Sequence, residues 1–116
     1  LAVELGGALG PLQAFLEATE IWTRSGDYVF AHAGIDPDVP LDQQDPRLLM
    51  WGGERVRAQL KQPIYRVVHG HYIVEAPEIL PHRIGIDTGA YFTGRLTAIR
   101  IDDEVQPITV DMLDLA

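Results

Sequence analysis

Two short apolar runs each deliver a histidine to the glycine that closes them. Tyr28 to Ala31 leads into His32-Ala33-Gly34, and Tyr65 to Val68 leads into His69-Gly70-His71. Aromatic and β-branched residues in such runs favour buried strands, and the glycine marks the turn out of the sheet. A third run, Arg83-Ile84-Gly85-Ile86-Asp87-Thr88-Gly89-Ala90, repeats the layout with a carboxylate in place of imidazole. A chain built this way folds around a sheet whose strand ends carry lone-pair donors, and open sheets hold their chemistry at such ends. The three segments are expected to converge on one rim, where two imidazoles make half of a metal site.

The 116 residues suffice for one small domain, burying roughly two-thirds of the surface its unfolded chain exposes. The chain opens on Leu1 rather than Met, and Leu1 to Gly10 shows no strand, signal peptide or capping box, so a trimmed or partial chain is expected. No run approaches the roughly 18 apolar residues of a membrane helix, and no membrane partner is expected. The formal charge of −8 offers no basic face to a nucleic acid. Acidic clusters at Asp36 to Asp45 and Asp102 to Glu104 leave room for divalent cations, although such clusters usually serve solvation. The absence of cysteine rules out disulfides, thiolate zinc sites and a cysteine nucleophile. It is compatible with a reducing compartment, and a cytoplasmic location is expected.

Pro11 suits a helix start, and Leu9, Leu12, Phe15 and Leu16 recur at helical spacing, predicting an amphipathic helix over 10–19. Ser25-Gly26-Asp27 turns the chain into a buried strand over Tyr28 to Ala33, and a proline-broken loop containing Asp36-Pro37-Asp38 and Pro40 follows. Asp45-Pro46 reads as an N-cap and first helical residue, with Leu48, Leu49 and Met50 set to pack before Gly52-Gly53 interrupts. Helix resumes over Glu54 to Lys61, with Val56 and Leu60 four apart, until Pro63. The remainder is β-prone, at Tyr65 to Val68, Arg83 to Ile86, Arg95 to Ile101 and Val105 to Val110, with turns at Gly94 and Asp102-Asp103. One α+β unit with a largely antiparallel or mixed sheet is predicted over 1–116.

His32, His69 and His71 are the ligand candidates, and the two-residue spacing of His69 and His71 directs both to one strand face. Each, taken alone, also suits a strand-end imidazole bonded to a carbonyl or carboxylate. Asp87 is a further ligand, an acceptor orienting a histidine, or a turn carboxylate bonding Gly89, the last being the simplest. Asp36 and Asp38 read as loop formers. Tyr91 beside its glycine-rich turn can hydrogen-bond an oxyanion or anchor a core. Two histidines do not complete a catalytic site.

Four motifs taken in order carry a resemblance. His32-Ala33-Gly34-Ile35-Asp36-Pro37, Leu49-Met50-Trp51, Val68-His69-Gly70-His71 and Ile86-Asp87-Thr88-Gly89-Ala90-Tyr91, followed by Gly94-Arg95-Leu96-Thr97-Ala98, resemble the C-terminal half of bacterial metallophosphoesterases of the phosphoprotein phosphatase family. The resemblance covers about residues 10–102. It implies a calcineurin-like β-sandwich flanked by helices, with a dinuclear site at the sheet edge that holds two divalent metals, manganese first, with iron or zinc as alternatives. His32 and His71 would ligate the same metal, His69 would be their neighbour, and Tyr91 would lie near the phosphate. The family's N-terminal motifs, resembling G-D-x-H-G, G-D-x-x-D-R-G and G-N-H-E, do not occur in this sequence. Its W-I-R is Trp51-Gly52-Gly53 here, which leaves Arg55 as the candidate replacement for the phosphate-binding arginine.

The resemblance therefore implies hydrolysis of phosphomonoesters by a metal-activated water at a dinuclear site completed by the N-terminal half. A serine/threonine protein phosphatase acting on phosphorylated protein or a small phosphoester is the first expectation. A diadenosine-polyphosphate hydrolase of the same superfamily and a catalytically inactive interaction module are the alternatives.

Overall fold

The computed structural model describes residues 2–58 and 64–112. Gly26 adopts φ +57, the left-handed conformation that lets a two-residue turn close a hairpin. The turn joins β1 (Trp22–Ser25), which the sequence reading missed, to β2 (Tyr28–Ala31). β2 stops short of the expected Ala33 because the chain bends at His32. Beyond a 3-10 turn at Leu41–Gln43, α2 (Pro46–Trp51) starts where predicted, with Asp45 accepting from the Arg47 N–H at 2.9 Å and Pro46 following it. α3 (Glu54–Ala58) follows the glycine pair. Leu60, Lys61 and Pro63, on which the rest of that helix prediction fell, lie outside the described residues.

β3 (Arg66–His69), β4 (Glu78–Ile79) and β5 (Arg83–Gly85) complete one sheet in the order β1-β2-β3-β5-β4. β2, β3 and β5 pair in parallel, with Phe30 opposite Val68 and Val68 opposite Ile84, while β1 and β4 are antiparallel edges. The sheet is thus mixed, as allowed, but its centre is parallel. Parallel strands are covered on both faces and read as unbroken apolar runs, and Val29, Val67 and Ile84 have no exposed surface. Val29, Ala31, Ile35, Leu49 and Val67 form one core, with Trp22, Leu41 and Tyr65 packed at its margin.

α4 (Ala90–Thr93) is a single turn that the sequence reading did not assign, and it leads to a ribbon of β6 (Arg95–Ile101) and β7 (Val105–Asp111). Two strands alone are marginal in water. Here a chain of hydroxyls attaches them to the third strand-end segment. Thr88 donates to the Arg95 carbonyl at 2.8 Å, and the Thr88, Thr97 and Thr109 hydroxyls follow one another at 2.9 and 3.1 Å.

α1 (Ala2–Glu17) corrects the first helix prediction, because Pro11 lies inside it rather than at its start. Ala2, Glu4, Leu5, Ala8 and Leu9 are strong helix formers upstream, and they extend the helix despite the bond that proline removes. Leu12, Phe15 and Leu16 were expected to pack but are exposed. Among the described residues, no helix is long and apolar enough to cross a membrane.

Gly34 has φ +116, and a Cβ there would stand 2.7 Å from Val56 Cγ1 on α3. This close approach holds α3 against the loop that follows His32. Gly34→Ala should lower stability by about 1–3 kcal/mol, read as a lowered urea midpoint. Val56→Ala in the same chain should recover only part of that loss, since the backbone strain stays. An unshifted midpoint would show that α3 does not rest on this glycine.

Candidate functional site

Because β2 and β3 are parallel, their C-terminal ends leave the sheet together. The Gly70 N–H donates to the His32 carbonyl at 2.8 Å, extending the pairing beyond both strands. His32 and His71 then meet edge to face, ring centroids 5.2 Å apart and planes at 73°. That centroid separation lies within the span of two imidazoles sharing one cation at metal–nitrogen distances of about 2.1 Å.

The strand-spacing argument for His69 with His71 does not survive. His71 has φ +63, the only non-glycine positive φ among the described residues. Alternation between sheet faces therefore ends at Gly70, and His71 turns to His32 while His69 stays in the sheet. His69 is 8 % exposed. Its Nδ1 donates to the Gly70 carbonyl at 3.0 Å, and its ring packs at Gly85, where an added Cβ would lie 3.3 Å from Cε1.

Sequence reasoning missed Tyr72. Its ring stands edge to face against His71 at 5.0 Å, and its hydroxyl accepts from the Gly53 N–H at 2.9 Å. Gly52, at φ +72, passes so close that any side chain there would overlap the phenol. The available signal was the pair Gly52-Gly53 itself, since adjacent glycines mark a close approach.

The remaining candidates spread out. Asp87 Oδ1 accepts from the Gly89 N–H at 3.0 Å, the turn role favoured from sequence. Its Oδ2 faces Gly70, at 3.7 Å from where a Cβ would sit. Asp36 is buried, and its Oδ1 accepts from the Asp38 N–H at 3.0 Å, as a loop former does. Its other oxygen pairs with Arg55 at 3.5 Å, leaving that guanidinium at the surface on α3. Tyr91 is 87 % exposed on α4 and stacks edge-on with Phe92 at 4.9 Å. Among the described residues, no three His, Cys, Asp or Glu side chains gather into one metal cage. The imidazole pair thus fits a borderline divalent metal as two ligands of an incomplete set.

No protein-family model matches the chain. It is 46 % identical over 44 residues to the asymmetrical bis(5'-nucleosyl)-tetraphosphatase PrpE of Bacillus thuringiensis, covering 38 % of this chain and 18 % of that protein. It is 32 % identical over 91 residues to serine/threonine-protein phosphatase 2 of Salmonella typhimurium, covering 71 % of this chain and 41 % of the relative. A crystal structure carrying the provisional name diadenosine tetraphosphatase shares its fold with a TM-score of 0.71 at 20 % identity, over 94 % of this chain and 61 % of that one. The fold is therefore the calcineurin-like α+β architecture that the motifs implied. These relatives and this shared fold support reading the chain as a fragment of a bacterial metallophosphoesterase. It spans less than half the length of the curated relatives it matches.

Burial holds the His69 pKa below its ordinary value, opposed by the Gly70 hydrogen bond and assisted by the nearby Arg83 charge. The folded state thus resists a proton that the unfolded chain accepts near pH 6.5. Stability should fall as pH drops below about 6.5 and level off once His69 protonates in the folded chain. His69→Gln should flatten that part of a urea-midpoint against pH curve, and an unchanged slope would remove His69 from the account.

Proposed function

We propose that this chain supplies the His32–His71 edge of a divalent-metal phosphoesterase whose substrate is a dinucleoside polyphosphate. The observation that carries the reading is the convergence of two imidazoles from parallel strand ends, 5.2 Å apart on one rim. The substrate class is supported by the similarity to bis(5'-nucleosyl)-tetraphosphatase PrpE. The serine/threonine phosphatase expectation stays as the second reading, supported by the Salmonella relative, which is 32 % identical over 71 % of this chain.

Neutral imidazoles of His32 and His71 would hold one metal, and the remaining ligands would come from the part of the domain that the longer relatives contain. We read residues 1–116 as one part of such a domain. Manganese is the proposed metal, with iron or zinc also suited to imidazole and oxygen donors, and the cytoplasm is the proposed setting. A bound metal pair would acidify its water and stabilise the phosphoryl oxygens. The protein's own contribution is orientation. The Gly70 to His32 backbone bond fixes the distance between the two segments, and the Tyr72 ring holds His71 against rotation. Hydrolysis then adds water across one phosphoanhydride. The water oxygen bonds phosphorus, the bridging oxygen leaves with the second nucleotide, and the released proton passes to solvent.

The test is metal content and turnover in the full-length protein that carries this chain. His32→Ala and His71→Ala should each reduce bound metal and lower kcat by more than the roughly 10–100-fold cost of losing a group that only orients a ligand. Retention of both metal and turnover in these variants would end the proposal. A higher kcat/KM for diadenosine tetraphosphate than for a phosphoserine peptide is the expected ranking. The reverse ranking assigns the protein phosphatase, and turnover of neither leaves an interaction module.

A further inference from the structure

Arg24, Arg47, Arg57 and Arg66 form no ion pair among the described residues, and of these Arg57 is the one that lies over Tyr72. The guanidinium groups of Arg55, Arg83, Arg95 and Arg100 each reach a carboxylate, on Asp36, Glu78, Asp111 and Asp102. That of Arg57 has no carboxylate partner among the described residues. It lies instead over the Tyr72 ring, 5.7 Å from the centroid. Tyr72 in turn meets His71 at 5.0 Å. The guanidinium is thus two ring contacts away from the imidazole pair.

Arg57 opens onto a cleft of about 690 Å³ lined by Trp51, Gly52, Gly53, Glu54 and Tyr72. A guanidinium offers five N–H donors and no acceptor, and its planar fork matches phosphate oxygens. Glu54 shares the cleft, so anion binding rests on Arg57 itself and not on a basic patch. The position where the family resemblance places its phosphate-binding arginine serves differently here. A Cβ on Gly53 would point at Leu48 Cδ2, 3.0 Å away on α2.

The Tyr72 ring lies between Arg57 and His71, at 5.7 and 5.0 Å from them. A single phosphoryl group held at His32 and His71 would end there, whereas a chain of phosphates would extend past Tyr72 towards Arg57. We propose that Arg57 binds a phosphate beyond the one being hydrolysed and so selects polyphosphate esters over phosphomonoesters. The proposal rests on the phosphoesterase reading above and deepens it, since it puts substrate choice on a named side chain.

Titration of this chain with inorganic tripolyphosphate, followed by tryptophan fluorescence and amide NMR shifts, tests the contact without any turnover. Arg57→Ala should weaken tripolyphosphate binding by about tenfold or more, the loss of one charge-assisted hydrogen-bonding group. Arg57→Lys should retain part of it, because the charge stays while the fork is lost. Arg100→Ala, on the far ribbon, should bind as the parent does. Parent-like binding by Arg57→Ala overturns the proposal. In the full-length protein, Arg57→Ala should raise KM for diadenosine tetraphosphate by a similar factor while p-nitrophenyl phosphate hydrolysis stays within about twofold. Equal losses on both substrates would sink the selectivity claim and leave the phosphoesterase reading intact. Absence of turnover on either substrate in the parent would sink that reading, with the titration still deciding on Arg57.

Discussion

The parallel register of β2, β3 and β5 determines where every candidate side chain leaves the sheet. Phe30, Val68 and Ile84 share one rung, so His32, Gly70 and Asp87 follow within two or three residues on the same side. The backbone keeps count past the strand ends, with the Gly70 N–H on the His32 carbonyl and the Ile86 N–H on the His69 carbonyl at 3.0 Å. A slip of one residue would exchange the faces of every side chain. Val29, Val67 and Ile84 prevent it, because each is wholly buried and a slip would bring Arg66 and Arg83 into their places. The register is therefore specified by apolar burial, and the imidazole pair is its by-product.

Tyr72 links that sheet to the helices. Its phenol is fixed by the Gly53 N–H, and its ring touches His71 on one side and lies beneath Arg57 on another. The glycines at 52 and 53 are what admit it, since a Cβ at 52 cannot coexist with the phenol oxygen. The departure from a W-I-R pattern in this stretch thus has a packing reason independent of any loss of function. The loop gives up a side chain, and the space is filled by a tyrosine from across the rim.

Much of this was legible from residue order. The apolar runs at β2, β3 and β5 and the Asp45-Pro46 helix start are strong local signals, and they stand within a residue or two of where they were read. The H-x-H spacing misled because a period of two holds only while the chain stays extended, and His71 leaves the strand with a positive φ. β4 escaped notice because two residues, Glu78 and Ile79, carry no periodicity. Pro11 misled in the other direction, since a proline preference for helix starts yields when a helix-forming run precedes it. Tyr72 and Arg57 were invisible for a different reason. Their meaning comes from a contact across 14 residues of intervening chain, and no local pattern encodes that.

The charge balance constrains how such a site can work. At a net −8 the chain repels a polyanion at long range, but at physiological ionic strength that field is screened beyond about 8 Å. Capture therefore depends on what the anion meets at contact distance. Half of the described arginines are already paired with carboxylates, as in the Arg83–Glu78 pair at 2.8 Å and the Arg100–Asp102 pair at 2.8 Å. Such pairs stabilise little at a surface, yet they remove their guanidinium groups from competition for phosphate. Arg57 lines the cleft beside Tyr72 without a carboxylate partner among the described residues, so under the proposed reading an arriving phosphate would meet that guanidinium at contact distance.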